Sequence, residues 1–461
     1  MRRARRYLLP LYLMLGACMP VTPTETATRA AAASSEAAGL PAMKSFAVPR
    51  PVAPVASNSD MARDFLDLAF ALESGRALPV FTRFEGPISV RLTGEANASM
   101  AHDLNRLLHR LRTEAGIDIS LTTSGTGNIT VQAVTRAQIR KHLPQAACFV
   151  VPNVSSLAEY GLARRSTKVN WSRLTRRETL AIFLPSDASP QEARDCLHEE
   201  LAQAIGPLND LYRLPDSVFN DDNVHTVLTG YDMTILRAYY DPALRNGMTR
   251  AQVADRLPSI LARINPAGQA ASPVRRQKTP RAWIDAVQVA LGPGAGQAQR
   301  RAAANEALKI ATAMGWTDHR RGFSHYAMGR ILQGSDPAVA QDHFVLSLRF
   351  FGQGSETALH RAYVASQLAA YAIAEGRPND ALFLLTPHLD TASRHENAAL
   401  LATLMLLRAE ALDLAGRPTE AREVRLDSLG WARYGFGSEW AVRAKLREIA
   451  SLSPRRSRGS L

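Results

Sequence analysis

The chain has 461 residues, 46% of them hydrophobic, and 55 Lys and Arg outnumber 42 Asp and Glu to leave a formal charge of +13. That length predicts two or three domains. No nucleic-acid motif accompanies the basic charge, which reads as solvated surface with a weak attraction for anionic headgroups, and no segment beyond the first residues is long and apolar enough to span a membrane.

In chain order the first element is the opening segment MRRARRYLLPLYLMLGAC. Basic residues precede a short apolar run and then Leu15-Gly16-Ala17-Cys18, the pattern of a secretory signal over residues 1–17. The small residues before Cys18 resemble the lipobox of bacterial lipoproteins. The resemblance implies that Cys18 becomes the lipidated first residue of the mature chain. Loss of Arg2, Arg3, Arg5 and Arg6 would lower the charge from +13 by four, to +9. The expected location is the bacterial cell envelope, facing the periplasm on a lipid anchor. Met19 in place of Asp favours the outer membrane. Residues 18–58, rich in Ala, Thr, Ser and Pro, read as a disordered tether.

Residues 59–266 alternate strand and helix signals. Strands are expected at 82–92, 117–122, 128–134, 148–152 and 179–185, where β-branched or aromatic residues run between turn residues. Ser99 to Ala115 reads as an amphipathic helix with Leu104, Leu107, Leu108 and Leu111 on one face. This is an α+β order. Besides Cys18, the chain's three cysteines include only Cys148 and Cys196. In an oxidising compartment these two are expected to pair and to pin a helix to the sheet.

The helix bearing Cys196 is well specified. Ser189 and Glu192 form a capping box around Pro190 at the first helical position, and Gly206-Pro207 supply the stop. Ala193, Cys196, Leu197, Leu201, Ala204 and Ile205 form its apolar stripe, in the middle of which Glu200 projects. His198 is expected on its outer or flanking surface. The segment resembles the active-site helix of helical zinc proteases, which carry H-E-x-x-H-x-x-G-x-x-H. With Gly206 on the glycine, Glu199 takes the first ligand position, Glu200 that of the general base, Gln203 the second ligand position and Asn209 the third. No imidazole remains, and amide oxygens are poor zinc ligands. Two readings are open. In the first, these residues form a polar network in which Gln203 and Asn209 donate to Glu200, with no cofactor. In the second, Glu200 is a general base, and Glu199, Gln203 and Asn209 or Asp210 hold a divalent metal harder than zinc.

Three blocks in order, EELAQAIGPLND, PDSVFNDDN and LTGYDMTILRAYYDPALRNGM, resemble a proteobacterial domain family of unknown function, number 2927. Its members are commonly lipoproteins, and its domain is itself similar to the zincin metallopeptidases. The resemblance covers roughly residues 60–250 and implies a zincin-like fold without settled activity. In the connecting loop, Asn220, Asp221, Asp222 and Asn223 read as a solvated turn held by Asx hydrogen bonds. His225 reads as a lone structural histidine, and Met233 and Met248 as core fillers. A helix is expected to begin near Thr229, capped with Asp232.

From about residue 280 the pattern is helical only. Gly376 and Gly416 each precede an Arg-Pro turn, and Ala381 and Ala421 follow five residues after them. That is the helix–turn–helix junction of a tetratricopeptide-like repeat. A looser copy surrounds Gly334, with Asp336-Pro337 opening the next helix, and residues 292–296 read as an inter-helix loop. The helical-repeat domain is placed at 280–452 and a basic tail at 453–461. The expected whole is an α+β zincin-like domain followed by an all-α helical-repeat domain. It would work as a membrane-tethered scaffold that binds envelope proteins or peptides through the repeats and takes no nucleic acid. The alternative is a divergent metal-dependent hydrolase.

Overall fold

A computed structural model describes residues 39–47 and 52–454. Residues 39–41, themselves in neither helix nor strand, belong to a separate unit, and the described residues from Ala42 onward form one compact unit. The signal segment, Cys18 and the arginines at 455, 456 and 458 lie outside the described residues.

The first part is α/β. After helix α1 (Asn58–Ala69) come β1 (Ile88–Gly94), α2 (Ala98–Glu114), β2 (Ile119–Leu121), β3 (Ile129–Val134), α3 (Arg136–His142), β4 (Phe149–Pro152), α4 (Leu157–Ala163), β5 (Leu180–Pro185) and α5 (Pro190–Ile205). Four further helices come next, α6 (Gly230–Tyr239), α7 (Arg250–Ala254), α8 (Leu257–Ile264) and α9 (Ala267–Ala270). The sheet order is β2-β1-β3-β5-β4, parallel except for β4, which pairs antiparallel with β5 at one edge. Strand β5 is buried along its whole length, as a strand covered on both faces must be. Leu180, Ile182 and Leu184 join the main core with α1, α2 and α5, whereas Ala181 and Phe183 face Phe149, Val151 and Ile139 on the other side.

All five expected strands are present, but the first begins only at Ile88. Gly86-Pro87 interrupts the pattern, since proline cannot donate to a ladder, and Phe81 and Phe84 instead fill the core from a loop. The disulfide joins Cys148, just before β4, to Cys196 on α5. It closes a loop of sequence separation 48, worth about 4 kcal/mol on the chain-entropy model.

The second part is α10 (Arg281–Leu291), α11 (Gln297–Ala313), α12 (His319–Leu332), α13 (Pro337–Phe351), α14 (Ala358–Ala374), α15 (Pro378–Arg394), α16 (Ala398–Leu414), α17 (Pro418–Phe436) and α18 (Glu439–Ala450), stacked as helix pairs. Gly376 and Gly416 adopt φ of 73° and 79° in the turns that close α14 and α16, a conformation that costs glycine nothing. Ala381 and Ala421 are fully buried where α15 and α17 cross their partners.

The turn between α15 and α16 breaks that rule, because Glu396 holds φ at 51° without being glycine. Its side chain explains the exception. Arg194 on α5 reaches Glu396 Oε2 at 3.3 Å and its carbonyl at 2.6 Å, and Arg106 on α2 reaches the same carboxylate at 3.2 Å. Beside this pair, Gln191 donates to Asn397 and accepts from the Ala399 amide, and Tyr434 donates to Asp103 at 2.7 Å. The helical part therefore covers the face of α5 that an amphipathic stripe would leave wet. His198 is buried rather than on an outer surface, and its Nδ1 accepts from the Leu228 amide, in the loop before α6, at 3.1 Å. Part of the segment expected to be a tether is held too: Lys44 N donates to Gly430 O at 3.1 Å, and Phe46 stacks on Trp431 with centroids 4.5 Å apart.

Glu396→Ala is predicted to destabilise the protein by about 3–5 kcal/mol, because it takes from the buried Arg194 guanidinium the carboxylate that it hydrogen-bonds. Glu396→Gly should recover about 1 kcal/mol of that loss by relieving the left-handed backbone. Denaturant melts of the two variants measure both, and an alanine variant within about 1 kcal/mol of wild type would show the pair to be dispensable.

Candidate functional site

Helix α5 starts as expected, with Ser189 accepting from the Glu192 amide and Pro190 in the first turn. The reciprocal half of the expected box is absent, and Glu192 pairs with Arg136 instead. The helix ends at Gly206, where a Cβ would meet Leu236 Cδ2 at 2.7 Å and would push that side chain of α6 aside. The freed carbonyls go to Arg177, which donates to Gln203 O at 2.7 Å, Ala204 O at 2.8 Å and Gly206 O at 2.5 Å. A guanidinium is suited to a helix C-terminus. Burial pulls its pKa down from the arginine value.

Glu199, Glu200, Gln203 and Asp210 are brought together, and Asn209 is not. Asn209 turns away and donates to the Asp67 carbonyl at 2.9 Å. Gln203 donates to Glu73 at 3.2 Å. The expected network around Glu200 is therefore not formed by these two amides, and Glu200 Oε2 is buried with no hydrogen-bond partner among the described residues. Asp210 Oδ1 is in the same condition. The reason is geometric: the turn after Gly206 carries Asn209 toward α1, which leaves Asp210 as the residue facing the cluster.

Two carboxylates that sequence reasoning missed complete the group. Glu73 enters from the loop after α1, and Asp221 from the long loop between α5 and α6. Asp221 accepts from Tyr212 at 3.0 Å and from Gln288 on α10 at 3.1 Å. Glu73 has no motif to mark it. Asp221 stood in an acidic run, which was a visible signal. That run is not a solvated turn, although Asp222 does make an Asx bond to the Val224 amide. Asn220 is buried, and Asp222 is held by His360 Nε2 at 2.9 Å.

Electrostatically the cluster is unsettled. Burial first, then the charges of Glu73 and Asp221, push Glu199 up to about 8. Burial and Glu199 push Glu200 well above the carboxylate range, and burial and Glu73 do the same for Asp210. Arg281 is the cation that acts on Glu73 and Asp221. Such a group can hold protons, or it can hold a hard divalent cation through oxygen donors.

Residues 58–259 match the model of the family described as Protein of unknown function (DUF2927). The chain carries a DUF2927 domain. No curated protein and no solved structure matches the chain. Glu73, all of α5, Asp210 and Asp221 lie inside the DUF2927 span, while Arg281, Gln288, His360 and Glu396 belong to the helical region after it. The cluster thus belongs to the DUF2927 domain and is closed over by the helical region.

These shifts fix a pH dependence. A carboxyl protonated in the fold gives stability that is full below its unfolded value near pH 4 and is lost as pH rises through its folded value. That folded value is about 8 for Glu199. Buried histidines act oppositely: the folded values of His225 (about 4), His319 and His395 (both about 3) make stability fall as pH drops below about 6.5. Between pH 7 and 9 the histidine contribution is almost complete, so Tm is predicted to fall by a few degrees. Glu199→Gln should flatten that decline. A thermal melt series in chelator measures it, and a profile with the same slope in both proteins would contradict the assignment.

Proposed function

We propose that this chain is a lipid-anchored envelope protein whose cleft, between the DUF2927 domain and the helical pairs, binds a peptide. One observation carries the reading. A hollow of about 390 Å³ is walled by Phe323, Tyr326, Phe351 and Tyr363, with Arg300 and Arg330 among its lining residues. It shares Asp222, Asn223, Leu291 and Phe323 with an adjoining hollow of about 1230 Å³ that reaches Tyr212 and Asp221. Arg300 donates to backbone carbonyls and Arg330 to Tyr326, and neither has a carboxylate partner among the described residues. The volume of the first hollow suits a side chain or small ligand. An aromatic chamber with two arginines fits an apolar residue bearing a free carboxylate, and the acidic end fits a basic residue upstream.

The finer family readings belong to the same proposal. The zincin-like character of the DUF2927 domain is supported by α5 following β5 directly and ending at a glycine turn. Tetratricopeptide-like repeats are supported by the paired Gly376 and Gly416 junctions. Envelope location is supported by the disulfide, which fits an extracytoplasmic compartment. Among the described residues no helix is long and apolar enough to cross a membrane; the proposed anchor is the lipid on Cys18. Cys18→Ser should move the protein from the membrane fraction to the soluble fraction. Retention in the membrane, with no lipid mass on the N-terminal peptide, would count against the anchor.

A second reading is kept open by the bare Glu200 Oε2 and Asp210 Oδ1: a hard divalent ion held by Glu199, Asp210 and Glu73, with Glu200 as general base of a hydrolase. One experiment separates the two. Titration calorimetry with peptides ending in Phe or Tyr should show binding that weakens about tenfold or more when the C-terminus is amidated or when Arg330→Ala is introduced, and the peptide should be recovered intact. Equal affinity for acid and amide would remove the cleft proposal. Cleavage of the peptide that disappears in Glu200→Gln would establish the hydrolase.

A further inference from the structure

Outside the acidic cluster, the loop between α5 and α6 meets the helical region at a group of imidazoles. His225 lies 5.4 Å from His395 and 6.0 Å from His360 by ring centroids, and His319 lies 6.2 Å from His360. His225 is therefore not the lone histidine expected from the sequence. One ligand atom each from Asp216, His225 and His395 fall within 4.8 Å of one another. We propose that Asp216, His225 and His395 form a transition-metal site, of the type that takes Zn²⁺, clasping the DUF2927 domain to the helical region.

Two imidazoles and a carboxylate are the donor set that suits zinc, with a fourth position left for water. Zinc–nitrogen bonds of about 2.0–2.1 Å put tetrahedral donors about 3.4 Å apart. The present spacing, within 4.8 Å for one ligand atom of each residue, needs side-chain movements of about an ångström. His225 Nε2 is 2.9 Å from the Pro215 carbonyl, so its N–H is committed there and Nδ1 carries the lone pair. Zinc-binding histidines are commonly fixed by such a bond from the other nitrogen to a backbone carbonyl. Burial and the neighbouring His360 hold His225 at about 4, and burial and His225 hold His395 at about 3, so both rings are neutral at pH 7. Asp216, pushed up to about 6 by burial and Glu356, is ionised there. The nearby Arg394 is already tied to Asp390 at 2.8 Å.

The three ligands come from both parts of the chain. Asp216 and His225 sit on the loop that also carries Asp221 and Asp222, and His395 precedes Glu396 in the turn after α15. A bound ion would fix that loop against the helical region, and with it both ends of the proposed cleft. The site stands on its own geometry and does not require that the cleft bind a peptide.

The test uses the full chain, stripped with chelator and titrated with ZnCl₂. One equivalent should bind and raise Tm, and His395→Gln and Asp216→Asn should each weaken binding about tenfold or more, while Glu199→Gln leaves it unchanged. Cu²⁺ loaded into wild type gives a readout independent of any variant's folding: its electron paramagnetic resonance spectrum should show coupling to two imidazole nitrogens. No uptake of zinc at micromolar concentration, an all-oxygen Cu²⁺ spectrum, or binding lost in Glu199→Gln but kept in His395→Gln would each overturn the site.

Discussion

The contact between Arg194 and Glu396 decides how the two parts of this chain can sit. Arg194 is almost wholly buried on α5, the helix that also carries the acidic cluster. A buried guanidinium is tolerable only with anions in place; besides its chain neighbour Asp195 at 3.7 Å, the carboxylate that Arg194 bonds comes from the far part of the sequence, on a residue in left-handed backbone. The comparable turns along the repeats, at Gly376 and Gly416, use glycine. The strain at Glu396 is therefore tied to the pairing, and strain of about 1–3 kcal/mol persists only where the surroundings enforce it. Arg106 shares the same carboxylate, so α2, α5 and the α15–α16 turn meet at one charge.

This placement also explains the state of α5. A helix with one apolar stripe would ordinarily leave half its residues in water, but here most of α5 is buried. Polar residues on the covered face must then find partners inside. Gln191, Arg194 and His198 do so, with Asn397, Glu396 and the Leu228 amide. Arg194 Nε, Asp195 Oδ1 and Glu200 Oε2 do not, nor does Asp210 Oδ1 just beyond the helix. A carboxylate left bare in low dielectric costs more than a neutral one, so the cluster must take up protons or a cation.

Much of this was legible in the sequence because local chemistry dictated it. Ser189, Pro190 and Gly206 bound α5, Thr229 and Asp232 cap α6, and the pairing of Cys148 with Cys196 follows once Cys18 is set aside as the expected lipid site. The five strands were visible as runs of β-branched residues, and Gly376 and Gly416 as turn positions. The features that stayed hidden depend on distant contacts. Nothing near His198 announces that the Leu228 amide, thirty residues on, will meet it inside the fold. Asn209 and Asp210 are adjacent, and only the direction of the chain after Gly206 decides which of them faces Glu199. Glu73, Arg177 and Arg281 are ordinary surface residues by sequence. Their roles come from topology, since the loops after α1 and before α10 both return to the C-terminal end of α5.

The segment from Asn209 to Thr229 ties these features together. It supplies Asp210 and Asp221 to the acidic cluster, Asp222 to His360, and Asp216 and His225 to the histidine group. It has no helix or strand of its own, so side-chain bonds must hold it: Ser217 and the Val218 amide donate to Asp232, and Tyr212 meets the His319 ring through its carbonyl at 2.7 Å. One covalent segment thus contributes to the acidic cluster, the histidine group and the wall of the cleft. Any coupling that the loop carries among these three places is reciprocal in binding free energy.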